Sequence, residues 1–202
     1  MIIESCCTSL SEALAAQGRG ADRIELCVDL SVGGLTPPTA LVEGVAGSLS
    51  IPVNVLIRPS EYFVCGEADL QQMLADIEHC KSAGAAGIVT GVLKQDGTID
   101  IAAMRRLIDA AHPLPVTFHR AFDVCSEDPF GALEKIVKLG CKRLLTSGMA
   151  PDAWTGKELI AELVRRAEGR IIIMPGCGIH PGNLKALAAI TLAREFHGTR
   201  LP

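Results

Sequence analysis

Eight short runs rich in Ile, Val and Leu recur along the chain: Ile2 to Cys6, Arg23 to Cys27, Pro52 to Ile57, Gly87 to Thr90, Pro115 to His119, Arg143 to Thr146, Ile171 to Pro175 and Ala193 to His197. They come out of turns bearing glycine and lead into amphipathic stretches of helical period. The pattern predicts strand then helix, repeated. Helix punctuation supports it: Ser9 and Glu12 form a capping-box pattern, and Thr36-Pro37 and Asp128-Pro129 each place an N-cap before a proline at the first helical position. Three helix-to-strand joins resemble one another, at Gly20-Ala21-Asp22-Arg23-Ile24, Gly84-Ala85-Ala86-Gly87-Ile88 and Gly140-Cys141-Lys142-Arg143-Leu144. In each, glycine can adopt the left-handed C-cap that turns the chain into the next strand.

Apolar strands alternating with helices imply a parallel sheet covered on its outer side. Eight such units in one domain favour closure into a TIM (β/α)₈-type barrel over an open sheet, the main rival. Such barrels commonly run to about 250 residues. This chain stops a few residues after its eighth strand, so the final helix is expected to be missing from an otherwise single domain spanning residues 1–202.

Composition narrows the picture. A chain of 202 residues, 49% hydrophobic, can bury a full core, and its mean hydropathy is +0.32. No apolar run approaches the ~18 residues that span a bilayer, and the N-terminus carries no basic segment or cleavage site. A cytoplasmic protein with no membrane partner is expected. The eight cysteines are scattered through apolar segments, a usage that fits reduced thiols better than a disulfide framework. The 19 basic against 23 acidic residues leave a net charge of −4, and aromatics make up 3%, so nucleic acid is not an expected partner.

In a barrel, the C-terminal strand ends and following loops carry function. Glu4-Ser5-Cys6 and Glu25-Leu26-Cys27 each put a Glu and a Cys two apart, on one face of a strand. Arg58 follows the third strand, and His119 and Arg120 end the fifth with Asp123 just beyond. Glu195-Phe196-His197 repeats the spacing on the eighth. The carboxylates need partners if buried, and Arg58, Arg120 or the histidines are the candidates. Adjacent strands lie about 4.8 Å apart, so Cys6 and Cys27, facing the same way, can hold one small ion, and two soft ligands suit Cu(I). Free cysteine also packs as a small apolar side chain, the reading given to Cys65, Cys80, Cys125 and Cys141. Zinc wants four ligands; Cys177, His119 or His197 complete a set only by coming together in the fold. The turns at Thr146-Ser147-Gly148 and Pro175-Gly176-Cys177-Gly178 are candidate anion cradles, through Ser147, Gly148, Gly176 and Gly178.

Longer stretches then carry a resemblance. Ala21 to Cys27, Gly33-Gly34-Leu35-Thr36-Pro37, Ile57-Arg58-Pro59, Pro115 to Asp123, Leu145-Thr146-Ser147-Gly148 and Met174-Pro175-Gly176 resemble the CutC copper homeostasis family across nearly the whole chain. The resemblance implies a cytosolic, homo-oligomeric TIM-type barrel that binds Cu(I), with Cys6 and Cys27 matching the family's proposed ligands.

Three features depart from the family. Pro59 leads into Ser60 to Cys65 where relatives carry a Gly-Gly-Asp segment; Gly176-Cys177-Gly178 replaces three glycines and adds a thiol near the mouth; and relatives continue past the His of the eighth strand into a final helix. Loss of that helix would uncover the first and seventh helices and the barrel seam, favouring association as a dimer or tetramer. Two functions are therefore expected to compete. One is Cu(I) binding at Cys6 and Cys27, with Cys177 as a further ligand. The other is an enzyme acting on a small anionic, phosphate- or carboxylate-bearing substrate. In that case Glu25 or His119 would be the general acid/base, Arg58 and Arg120 would bind the anion, and Glu4 and Asp123 would complete the site.

Overall fold

The computed structural model describes residues 1–199 and 201. Its elements alternate as the hydrophobic runs predict: β1 (Ile2–Cys7), α1 (Leu10–Gly18), β2 (Arg23–Leu26), α2 (Thr39–Ser48), β3 (Val53–Leu56), α3 (Glu67–Ser82), β4 (Gly87–Thr90), α4 (Ile101–Ala111), β5 (Val116–Phe118), α5 (Pro129–Lys138), β6 (Arg143–Thr146), α6 (Lys157–Ala167), β7 (Ile172–Pro175), α7 (Pro181–Thr191) and β8 (Glu195–Gly198). Short 3₁₀ turns follow β2 at Leu30–Val32 and β5 at Arg120–Val124. Every ladder is parallel, in the order β7-β6-β5-β4-β3-β2-β1-β8. The eight strands form a nearly closed TIM-type barrel, with the unladdered seam between β7 and β8. Among the described residues there are seven α-helices, and none follows β8. No described helix is long and apolar enough to cross a membrane.

The period of two divides the sheet's side chains into two populations. Outward-facing Ile24, Leu26, Val55, Ile57, Ile88, Phe118, Leu144 and Phe196 pack with helix residues such as Val45, Ile77, Leu107, Ile136 and Leu163 in one buried apolar cluster. The main core is thus the layer between sheet and helices. The lumen holds a small apolar cluster of its own, Cys6, Cys27, Leu56 and Val89.

Local signals account for most of the turns. Gly20, Gly84 and Gly140 take φ of +97°, +86° and +83°, the left-handed conformation that ends each preceding helix. Ser9 caps α1 by accepting the Glu12 amide at 3.2 Å, while the Glu12 carboxylate reaches the amide of Thr8 at 2.7 Å. Asp128 caps α5 by accepting from Phe130 and Gly131, with Pro129 in the first turn. Thr36 does not cap α2. Pro37 is followed by Pro38, whose ring disfavours the helical region for the residue before it, so the helix starts only at Thr39. The Thr36 hydroxyl instead accepts the Arg58 amide at 2.8 Å and ties the β2 loop to the end of β3.

Candidate metal and ligand site in the barrel mouth

The lumen is organised in layers, and the lowest is an ion network. Arg23 on β2 donates to Glu4 on β1 at 2.5 Å and to Glu195 on β8 at 2.7 Å, and Arg143 on β6 reaches the same Glu195 oxygen at 2.7 Å. Asn54 on β3 donates to Glu4 at 3.0 Å, and His197 Nδ1 lies 2.9 Å from the other Glu4 oxygen. The parallel register produces this layer, since Glu4 pairs with both Arg23 and His197 across neighbouring strands. Arg58, Arg120 or the histidines were the expected partners of the buried carboxylates. His197 takes that role, while Arg58 and Arg120 sit on loops beyond their strands and line the mouth. Arg23 and Arg143 supply the cations.

Burial alone would make Glu4 hard to ionise, but hydrogen bonds and charge from His197 and Arg23 outweigh it and hold its pKa at about 2. Burial likewise opposes a charged His197, yet Glu25 and Glu4 keep it protonated up to about 9. Glu25 is different. Its desolvation, with the Glu4 charge added, exceeds the help from His197 and Arg23, and its pKa rises to about 7.

These shifts have opposite pH signatures. Glu4, lowered from 4.5 to about 2, stabilises the fold fully above pH 4.5, and that contribution fades as pH falls through about 2. His197, raised from 6.5 to about 9, contributes fully below pH 6.5 and loses this as pH rises through about 9. Glu25, raised from 4.5 to about 7, likewise favours folding less as pH rises through about 7. Urea unfolding should therefore give a higher midpoint near about pH 5.5 than near about pH 9; the reverse order would refute this charge assignment.

Above the ion layer lies the thiol pair. Cys6 stands opposite Glu25 in the register, and Cys27 lies one pleat further up β2 on the same face. The Cys6 and Cys27 sulfurs are 3.2 Å apart, and Cys6 Sγ lies 3.9 Å from Glu25 Oε1. Donor atoms of Cys6, Glu25 and Cys27 lie within 4.8 Å of one another, as do those of Glu4, Glu25 and His197. The Cys6 thiol is pushed well above its ordinary range, first by its hydrogen bond with Cys27 and then by burial and the Glu25 charge. Gly34, at φ +95°, brings the β2 loop over this pair; a β-carbon there would lie 2.9 Å from Leu56 Cδ2 and 3.6 Å from Cys27 Sγ. All eight cysteines are free thiols. Burial pushes Cys65 up to about 11 and Cys80 and Cys141 up to about 12, consistent with packing roles.

The thiols open upward into a cavity of about 840 Å³ that includes Glu25, Arg58, Phe63, His119, Arg120, Cys177 and His197 in its wall. Arg58 stacks over Phe63 at 4.4 Å and donates to the carbonyls of Val32, Gly34 and Glu61. His119 meets the other side of this wall, its ring 5.2 Å from that of Phe63. Burial and the nearby Arg58 charge lower its pKa to about 3, so it is neutral. Gly91 makes room for it, since a β-carbon there would lie 2.6 Å from His119 Nδ1.

Around the sixth strand the expected cradle is already filled by the protein. Asp123 accepts from Arg120 at 2.9 Å, from the Ser147 amide and hydroxyl at 3.0 and 2.9 Å, from Met149 at 3.2 Å and from the Thr146 hydroxyl. The Gly148 amide is taken by Thr146 Oγ1 and the Gly176 amide by the Thr146 carbonyl. Asp123 thus stands where an external anion was expected at Ser147 and Gly148. Gly178 lines the cavity beside Cys177. Cys177 sits in the rim with φ +74° and its thiol directed to the Pro151 carbonyl at 3.3 Å; it falls outside the Cys6–Cys27–Glu25 cluster. Sequence reasoning missed Arg23 and Arg143. The alternation Arg23-x-Glu25-x-Cys27 was the available signal, because it places all three on one face of β2.

These features define a TIM-type barrel with a thiol pair set between a buried ion network and an open, polar mouth. The chain belongs to the CutC family, whose model matches residues 1–201. A CutC family protein of Parabacteroides distasonis is 52% identical over 198 residues, covering 97% of this chain and 81% of the relative. One from Histophilus somni is 45% identical, covering 98% and 81%. A solved structure of CutC from Streptococcus agalactiae, named for copper homeostasis, superposes with a TM-score of 0.94 at 30% identity, covering all of both chains. An aldolase at 14% identity, TM-score 0.71, shares the fold alone.

Proposed function

We propose that this chain is a cytoplasmic protein of copper homeostasis that binds Cu(I) through Cys6 and Cys27. The observation that carries the reading is the thiol pair itself: two sulfurs 3.2 Å apart, supplied by adjacent strands, in an apolar layer beneath an open cavity. Soft ligands in a low-coordinate setting select Cu(I) over harder divalent ions. Glu25 stands within reach as a third donor, and the protonated His197 offsets the negative charge that two thiolates and one Cu(I) create together. The family's association with copper homeostasis supports the same reading. The test is an anaerobic Cu(I) titration against a chromophoric chelator. Wild-type protein and Cys177→Ser should each take one equivalent, and Cys6→Ser/Cys27→Ser should take none.

The proposal includes self-association as a dimer or tetramer. It is supported by the exposed apolar side chains Leu14 on α1 and Ile190 and Leu192 at the end of α7, on the helices that neighbour β8 and its partner β1. Sedimentation velocity should resolve a species larger than the monomer; a monomer across the accessible concentration range would reject this part.

A further inference from the structure

The cavity is far larger than one metal ion requires. At about 840 Å³ it falls in the range of sites that enclose a small organic molecule. Its wall also holds two unsatisfied donors. His119 Nδ1 accepts the Ala121 amide at 3.2 Å, so in the neutral ring the proton resides on Nε2, and that N–H has no partner among the described residues. The Nε–H of Arg58 is likewise unpartnered. Both side chains are deeply buried, with His119 4% and Arg58 6% exposed, and buried donors are normally satisfied.

The charge of Arg58 points the same way. Its other donors meet only backbone carbonyls, and no carboxylate of the described residues forms an ion pair with it. Arg120 adds a second, half-exposed cation to the same wall. Two unmet N–H donors beside a guanidinium that feels the Glu61 charge but makes no direct ion pair among the described residues call for an acceptor carrying negative charge.

We propose that the Arg58–Phe63–His119 wall binds the oxyanion group of a small organic molecule, a carboxylate or a phosphate, with the remainder of the molecule housed in the mouth. This places anion recognition at Arg58 and His119 rather than at the Ser147 turn, which Asp123 occupies, and it is independent of Cu(I) at the thiols.

Inorganic phosphate and succinate serve as probes, titrated separately by calorimetry into the full chain. At least one should bind saturably with one site, and the tighter of the two identifies the group the wall prefers. His119→Phe, which removes the donor, should weaken binding about tenfold or more, whereas His119→Gln, which restores an N–H, should stay within about threefold of wild type. The Nε2–H resonance of His119 in the unaltered protein should shift on binding, a readout that needs no variant to fold. The probes are titrated into copper-free protein, so failure of the copper reading leaves this one standing. Absence of saturable binding by both probes, an unmoved His119 resonance, or unchanged affinity in His119→Phe would each overturn it.

Discussion

Replacing Arg23 by methionine should lower the stability of the barrel by about 3–5 kcal/mol, the usual result of removing one partner from a buried ion pair. For a chain of this size that corresponds to a fall in Tm of roughly 6–20 °C. Methionine fills most of the volume of the arginine stem, so the loss reads charge more than packing. Arg23 is the cation shared by Glu4 and Glu195, whose side chains are 0% and 7% exposed. Without it, Glu195 retains Arg143, but Glu4 retains only His197 and Asn54 against a full desolvation penalty. Thermal and urea denaturation measure the effect. The bidentate surface pair of Arg106 with Glu67 is the control: Arg106→Met should change little, because both groups stay hydrated. Equal losses in the two variants would mean that the lumen network has no special weight.

The outer layer of the barrel was legible because its residues obey simple rules. Strand boundaries followed the Ile, Val and Leu runs, and the three glycine joins required left-handed backbone that glycine adopts at low cost. The lumen was legible only in part. Sequence reasoning found Glu4, Cys6, Glu25 and Cys27 by their spacing, and their pairing depends on a cross-strand register that one chain's periodicity does not encode. Arg23 and Arg143 escaped notice because they open their strands, and function was sought at the strands' far ends.

The turn after β6 shows a second kind of limit. The turn has the amides of an anion site, and an anion is bound there: the carboxylate of Asp123, contributed from the β5 loop, accepts from the amides of Ser147 and Met149. A local motif cannot report that its ligand is supplied by a residue 24 positions away. The same substitution of inner for outer partners explains Arg58 and Arg120. Both line the mouth, but their partners are loop carbonyls and Asp123, supplied by the loops around them rather than by the lumen carboxylates.

Substituting Cys6 and Cys27 together by serine should reduce Cu(I) affinity by more than ~100-fold, since changes even to groups that only support a metal's ligands commonly cost 10–100-fold. Serine is nearly isosteric but offers a hard oxygen, a poor donor to Cu(I). Each hydroxyl would enter a layer formed with Leu56 and Val89, where the two can hydrogen-bond to each other and to Glu25. The substitution should therefore leave the circular dichroism spectrum unchanged and cost at most about 1–3 kcal/mol of stability. Each single variant keeps one thiol beside Glu25 and should lose less than the pair. Because the Cys6 thiol holds its proton well above neutrality, wild-type binding must displace that proton, and calorimetry in buffers of different ionisation enthalpy should register its release. Undiminished affinity in the folded double variant would place the copper elsewhere on the chain. Binding lost together with the folded spectrum would shift the decision to the proton count, where release of no proton by the wild-type protein rejects the thiol pair as the ligand.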